Sequence, residues 1–182
     1  MCRVSLQSRG FSLMELIIGV SILAVLIGVA TPSLSGMWLD SQRTTAVNSF
    51  VHSVFLARSA ALQLGRTVTL CRSVDAQTCS HQTGDWQAGW MVFVNTDDDL
   101  PPVRDTQERV LEVFHPWRGA DITSNRTSYS FRPLFHRVVN GAMVFCDRRG
   151  SSQARAVIIN SAGRPRVSSL DSNGRPLRCP GG

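Results

Sequence analysis

The chain has no lysine: all 19 basic residues among its 182 are arginine, and with 13 acids they leave a net charge of +6. A biased base composition would leave the same mark, yet the chemical consequence stands. Every positive side chain except histidine carries a planar fork suited to phosphate and carboxylate. Cys-x-x-Cys and His-x-x-x-His spacings are also absent, which argues against a zinc site. His52, His81, His115 and His136 are scattered, and no nucleophile elbow, metal spacing or phosphate loop organises them with the serines and aspartates. No enzyme is expected, and with it no catalytic residue, metal or cofactor. A domain-scale repeat is missing too.

What is present begins near the N-terminus, where residues 9 to 32 read RGFSLMELIIGVSILAVLIGVATP. From Phe11 to Thr31 there are 21 residues with one charge, Glu15. At about 1.5 Å rise per residue such a helix crosses a hydrocarbon core of about 30 Å. A secretory signal has a shorter apolar core followed by a small-residue cleavage site. Here the small residue, Gly10, precedes the apolar run, so a cut there retains it. An acid within a membrane helix costs about 2.5 to 3.5 kcal/mol on insertion scales and marks a function. Arg3 and Arg9 precede the run and the next base is Arg43. The positive-inside rule then places the N-terminus in the cytoplasm and everything after Pro32 outside.

Pro32 is expected to bend or loosen the helix. Helical periodicity resumes beyond it, with Val47, Phe50, Val54, Ala57, Ala61 and Leu64 forming one apolar stripe and Gly65 a natural C-cap. Short strand-like runs follow: Thr67 to Cys71, Gly89 to Val94, Arg109 to Phe114, Ser128 to Phe131, Gly141 to Cys146 and Ala154 to Asn160. Trp86, Trp90 and Trp117 suit packing roles with indole nitrogens that need partners. Asn95-Thr96-Asp97-Asp98-Asp99 places oxygen ligands at alternate positions like a calcium loop but lacks its glycine and closing glutamate, so a polar hairpin loop is preferred. Outside the cytoplasm Cys71, Cys79, Cys146 and Cys179 are free to form disulfides. Four cysteines permit three pairings; the favoured one is Cys71 with Cys79 and Cys146 with Cys179, the latter pinning the C-terminal tail.

Charge is unevenly distributed. Residues 75 to 121 hold nine acids and three arginines, whereas residues 148 to 182 hold seven arginines and one acid, Asp171. Arg164 and Arg166 are two apart and fall on one side of an extended chain. Gly174-Arg175-Pro176-Leu177-Arg178 repeats the Gly-Arg-Pro unit, and Arg148 and Arg149 add to the positive pole. Such a surface suits a polyanion bound through phosphates. The tail has no aromatic residue, which favours duplex DNA over stacked single strands.

A short basic leader ending in Gly10, followed by Phe11, Glu15 as fifth residue after it and Pro32, resembles the type IV pilin and pseudopilin superfamily. GWMVFVNTDDD at 89 to 99, FCDRRG at 145 to 150 and AVIINSAGRPRV at 156 to 167 resemble its GspH/FimT branch. The resemblance implies cleavage between Gly10 and Phe11 by prepilin peptidase, methylation of the Phe11 amine, and loss of Cys2 with the leader. It implies that Glu15 attracts the terminal amine of a neighbouring subunit. It also implies assembly with other major and minor pilins after storage in inner-membrane lipid, with the globular domain periplasmic until it reaches the fibre at the cell surface. Gly163-Arg164-Pro165-Arg166 matches the GRxR motif through which FimT-like proteins are implicated in binding incoming DNA during natural transformation. The rival expectation is an H-type pseudopilin of type II secretion, or a minor pilin that only primes assembly.

The expected organisation is thus α+β and pilin-like, with a long N-terminal helix packed on an antiparallel β-sheet or sandwich domain. Residues 1–10 are the leader, 11–37 the membrane and assembly half of the helix, 38–65 its amphipathic half, and 66–182 the β-rich domain with an arginine-rich tail from about 161. Expected DNA contacts are Arg148, Arg149, Arg164, Arg166, Arg175 and Arg178.

Overall fold

A computed structural model describes residues 12–81, 86–115, 117, 120–133 and 140–180, without the side chains of 29–33 and 120. Helix α1, Leu13–Leu64, starts where Ser12 can cap it. The Ser12 Oγ accepts the Glu15 amide at 3.2 Å, in the Ser-x-x-Glu spacing of a capping box. Glu15 also lies in the first turn, where a carboxylate complements the positive end of the helix dipole. Pro32 does not interrupt the helix, and Gly65 ends it at φ 63.

The chain forms two compact units, Met1–Ser41 and Gln42–Gly182. In the first, the large apolar side chains between Leu13, at 80%, and Ile27, at 54%, are exposed. Among the described residues no helix is long and apolar enough to cross a membrane. The expected span starts at Phe11, outside the described residues.

In the second unit two antiparallel sheets pack with the remaining part of α1. The first has the order β3-β2-β1-β5, built from β1 Thr67–Arg72, β2 Trp90–Asn95, β3 Val110–Phe114 and β5 Ser128–Phe131. The second has the order β4-β6-β7-β8, from β4 Ala120–Ser124, β6 Gly141–Asp147, β7 Arg155–Ile159 and β8 Pro165–Ser168. The helix stripe is buried at Val47, Phe50, Val54, Ala57 and Ala61, joined by Ala46, but Leu64 is 42% exposed. The last residue of the stripe falls where the chain turns away at Gly65, so it misses the sheets.

Phe50 lies at the centre, edge-on to Trp86, Trp90 and Tyr129 at 6.1, 5.5 and 6.0 Å. Ile122, Met143, Phe145, Val157 and Ile159 bring the inner face of the second sheet into the same core. Burial of this extent is what holds helix and sheets together. Trp86 Nε1 donates to the Arg126 carbonyl at 3.1 Å and Trp90 Nε1 to Ser53 Oγ at 3.0 Å. The buried Trp117 Nε1 has no hydrogen-bond partner among the described residues.

Strands β4 and β8 have no counterpart in the sequence reading. In Ala120–Ser124 the one large apolar residue is Ile122, too little to show a period. In β8 the proline at its first residue hides the strand, yet β8 is an edge where a missing N–H is tolerated.

Candidate nucleic-acid interface

Alternation along β6 and β7 gives the second sheet an outer face opposite the core. Cys146, Ala156 and Ile158 cluster there with Ala154 and Leu177, flanked by Ala142, Val144 and Cys179. Leu177, 4% exposed, is the apolar residue by which the C-terminal tail sits on this face. Cys146 and Cys179 are joined by a disulfide 33 residues apart in sequence, and Cys71 and Cys79 by one 8 apart. The Cys179 amide further donates to Ser151 Oγ at 3.1 Å.

The β7–β8 connection is a tight turn organised by Asn160. Its Oδ1 accepts the amides of Ala162 at 3.0 Å and Arg164 at 2.9 Å. The Asn160 N–H donates to the Arg164 carbonyl, and the Gly163 N–H to the Asn160 carbonyl. Gly163 sits at φ 71, the left-handed region that a side chain resists. Arg166 pairs with Ile158 across the ladder, so it projects on the outer face, and Arg164 lies in the turn just before β8. Both are exposed.

A second tight turn follows at Asp171, closed by a bridge between Leu170 and Pro176. Arg175 and Arg178 are exposed and line, with Asp171, Pro176, Leu177 and Val144, a groove of ≈ 620 Å³. The amides of Arg175 and Asn173, with the Arg175 charge, hold the Asp171 carboxyl below the usual carboxylate range. The guanidinium groups of Arg164, Arg166 and Arg178 have no hydrogen-bonded or ion-paired partner among the described residues.

Arg148 and Arg149, grouped with these in the sequence, separate here. Arg148 is exposed in the turn after β6. Arg149 is bound to the carboxylate of Asp147, through Nε at 3.0 Å and a terminal nitrogen at 2.7 Å. Arg43, on the helix, reaches the same carboxylate at 3.2 Å and the Gln153 carbonyl. The Asp147 side chain is 1% exposed and that of Arg43 6%. The Arg149 side-chain hydrogen bonds, then its amide and the charges of Arg149 and Arg43, hold Asp147 low against the cost of burial. The network joins helix to sheet, and the sequence did not reveal it because its members lie 104 residues apart.

At the other end, Gly10 and Phe11 lie outside the described residues, and Glu15 is exposed on the first turn of α1. Two of the three aspartates of the 95–99 loop, Asp97 and Asp99, accept hydrogen bonds from their own segment. Asp99 accepts from Asn95 Nδ2 at 2.9 Å and the Val103 amide at 2.7 Å, and Asp97 accepts the Asp99 amide at 3.3 Å. Glu108 accepts the Thr96 and Asp105 amides from the far side of the loop. Among the described residues no group of three or more His, Cys, Asp or Glu is placed to hold a metal ion.

The Asx residues that shape the two turns escaped the sequence reading. The signal lies in Asn160-Ser-Ala-Gly-Arg-Pro and Asp171-Ser-Asn-Gly-Arg-Pro, which share one pattern that extends beyond their Gly-Arg-Pro portion.

Comparison with known proteins agrees with this architecture. Two crystal structures of the type IV minor pilin FimU from Pseudomonas aeruginosa are similar. One aligns with TM-score 0.54 and 16% identity over 75% of this chain and 98% of that one. The other gives 0.53 and 18% over 77% and 96%. At these identities the likeness shows a shared fold. No curated protein matches the chain. A prokaryotic N-terminal methylation motif matches residues 6–31. The family model of the type II transport protein GspH matches residues 46–163, stopping one residue before Arg164. That match spans more than half of the sequence and makes the molecule a minor pilin or pseudopilin, of a type IV pilus or of type II secretion: the chain belongs to the GspH family.

Proposed function

We propose that the chain is a minor type IV pilin of FimT type that binds duplex DNA through its C-terminal arginines for uptake in natural transformation. The observation that carries this reading is the outer face of the second sheet. Arg164, Arg166, Arg175 and Arg178 are exposed on elements that cover or edge that face, with Asp171 the one acid of the tail. Phosphate contacts by such groups release counterions and read no sequence. The chain acts by binding, with no bond-making step. Residues 1–10 are cut from 11 by prepilin peptidase, Phe11 is methylated, and the exposed apolar side chains from Leu13 to Ile27 hold the subunit in inner-membrane lipid until it joins other pilins. Glu15 then meets the amine of a neighbouring Phe11, its place in the capping box notwithstanding.

Duplex DNA titrated into the full-length protein in detergent micelles at several salt concentrations tests the reading. Arg164→Gln with Arg166→Gln is expected to weaken binding to all sequences alike and to lower the salt slope by roughly 2. Wild-type affinity in that double variant refutes the assignment. The rival, a pseudopilin or a purely assembly-priming pilin, draws on the family match, which ends before the tail; absence of salt-dependent DNA binding favours it.

A further inference from the structure

The two turns of the tail are copies of one local structure. In each, an Asx carboxamide or carboxylate oxygen accepts the amides two and four residues on: Asn160 from Ala162 and Arg164 at 3.0 and 2.9 Å, Asp171 from Asn173 and Arg175 at 2.8 and 2.8 Å. In each, the Asx N–H donates to the arginine carbonyl and the glycine N–H to the Asx carbonyl, at 3.2 and 2.9 Å in the first and 2.8 and 3.2 Å in the second. The glycines adopt φ 71 and 76. Each turn therefore presents an arginine followed by proline on the same rigid frame, and a second arginine shortly after, Arg166 or Arg178. The frames differ in one charge. Asn160 is neutral, whereas Asp171 is a carboxylate beside Arg175 in the groove that also holds Arg178.

We propose that the two turns are equivalent phosphate-contact modules on duplex DNA, and that Asp171 holds the second below the first in affinity by partly neutralising Arg175. The inference rests on the DNA-binding reading above. An anionic phosphate approaching Arg175 meets the Asp171 carboxylate, a repulsion that the Asn160 turn does not have. Two unequal arms on one face give a primary contact and a weaker one, so release of the second leaves the first attached. Asparagine at 171 retains the oxygen that accepts both amides, as Asn160 demonstrates, so Asp171→Asn removes the charge and keeps the turn.

The experiment uses full-length protein in micelles and a duplex of mixed sequence at low and moderate salt. Asp171→Asn is expected to tighten binding by about two- to five-fold at low salt, the scale of one exposed charge pair, with the gain shrinking as salt rises. Arg175→Gln is expected to weaken binding and lower the salt slope by about 1. In the Arg175→Gln background, Asp171→Asn is expected to lose most of its gain. Unchanged affinity for Asp171→Asn, or an undiminished gain without Arg175, overturns the inference while leaving the Arg164 and Arg166 assignment standing. Failure of the wild type to bind at all overturns both. Thermal unfolding of Asp171→Asn, expected to match wild type, shows that the turn is kept.

Discussion

Arg43 and Arg149 close on the buried carboxylate of Asp147, whereas Arg164, Arg166 and Arg178 stand exposed with no ion-paired carboxylate among the described residues. The residue type is the same, and what differs is whether the fold supplies a carboxylate. Where it does, the planar fork becomes a structural tie between helix and sheet, worth most when partner and desolvated surroundings are both present. Where it does not, the fork remains available to an outside anion. The arginine-rich end of the sequence mixes the two cases, since Arg149 belongs to the first and Arg164 to the second.

Breaking the buried side of this comparison has the largest expected effect. Asp147→Asn removes the buried charge, 1% exposed, on which Arg43 and Arg149 converge and is expected to cost about 3 to 5 kcal/mol, read as a lower denaturant midpoint at unchanged m-value. Replacing Cys146 and Cys179 together by serine opens the 33-residue separation and is expected to cost roughly 3 to 4 kcal/mol in the chain-entropy model. The same variant frees the tail, so its DNA affinity falls too if the pinned outer face is the binding surface.

Acid offers a milder probe. The folded-state pKa of Asp147 lies below the ordinary carboxylate value, so its contribution to stability is complete above the unfolded pKa. It is lost as pH falls through the folded one. Stability of wild type should therefore drop on acidification more steeply than that of Asp147→Asn, a difference visible in unfolding curves taken from neutral pH downward.

The exposed side responds weakly in stability. Gly174→Ala meets no neighbouring atom but must adopt φ +76, and is expected to cost about 1 to 2 kcal/mol. Arg164→Gln with Arg166→Gln is expected to leave stability within about 0.5 kcal/mol while weakening DNA binding. A large loss of stability there would place these arginines with Arg43 and Arg149, and the comparison would fail.

The sequence reading anticipated much of the fold from local pattern. The stripe from Val47 to Ala61 is visible because a helix turns every 3.6 residues and one face must be buried. Gly65 as a cap, and the strand runs now seen as β1, β2, β3, β5, β6 and β7, were legible to within a residue or so for similar reasons. Strand β4 was not, since Ile122 alone gives no period, and neither was β8, where a proline is acceptable only because the strand lies at an edge.

Sequence alone determined the length and polarity of the N-terminal apolar run, the placement of Glu15 within it, the arginine-only basic set and its concentration in the tail. These are one-dimensional properties, fixed by which residues adjoin. Tertiary structure alone decided which arginines are already bound, that the tail lies over the outer face of the second sheet, and that the turns at Asn160 and Asp171 share one frame. Each of those depends on groups brought together by folding: a carboxylate 104 residues from its arginine, a leucine closing an apolar face, and backbone amides converging on a single side-chain oxygen.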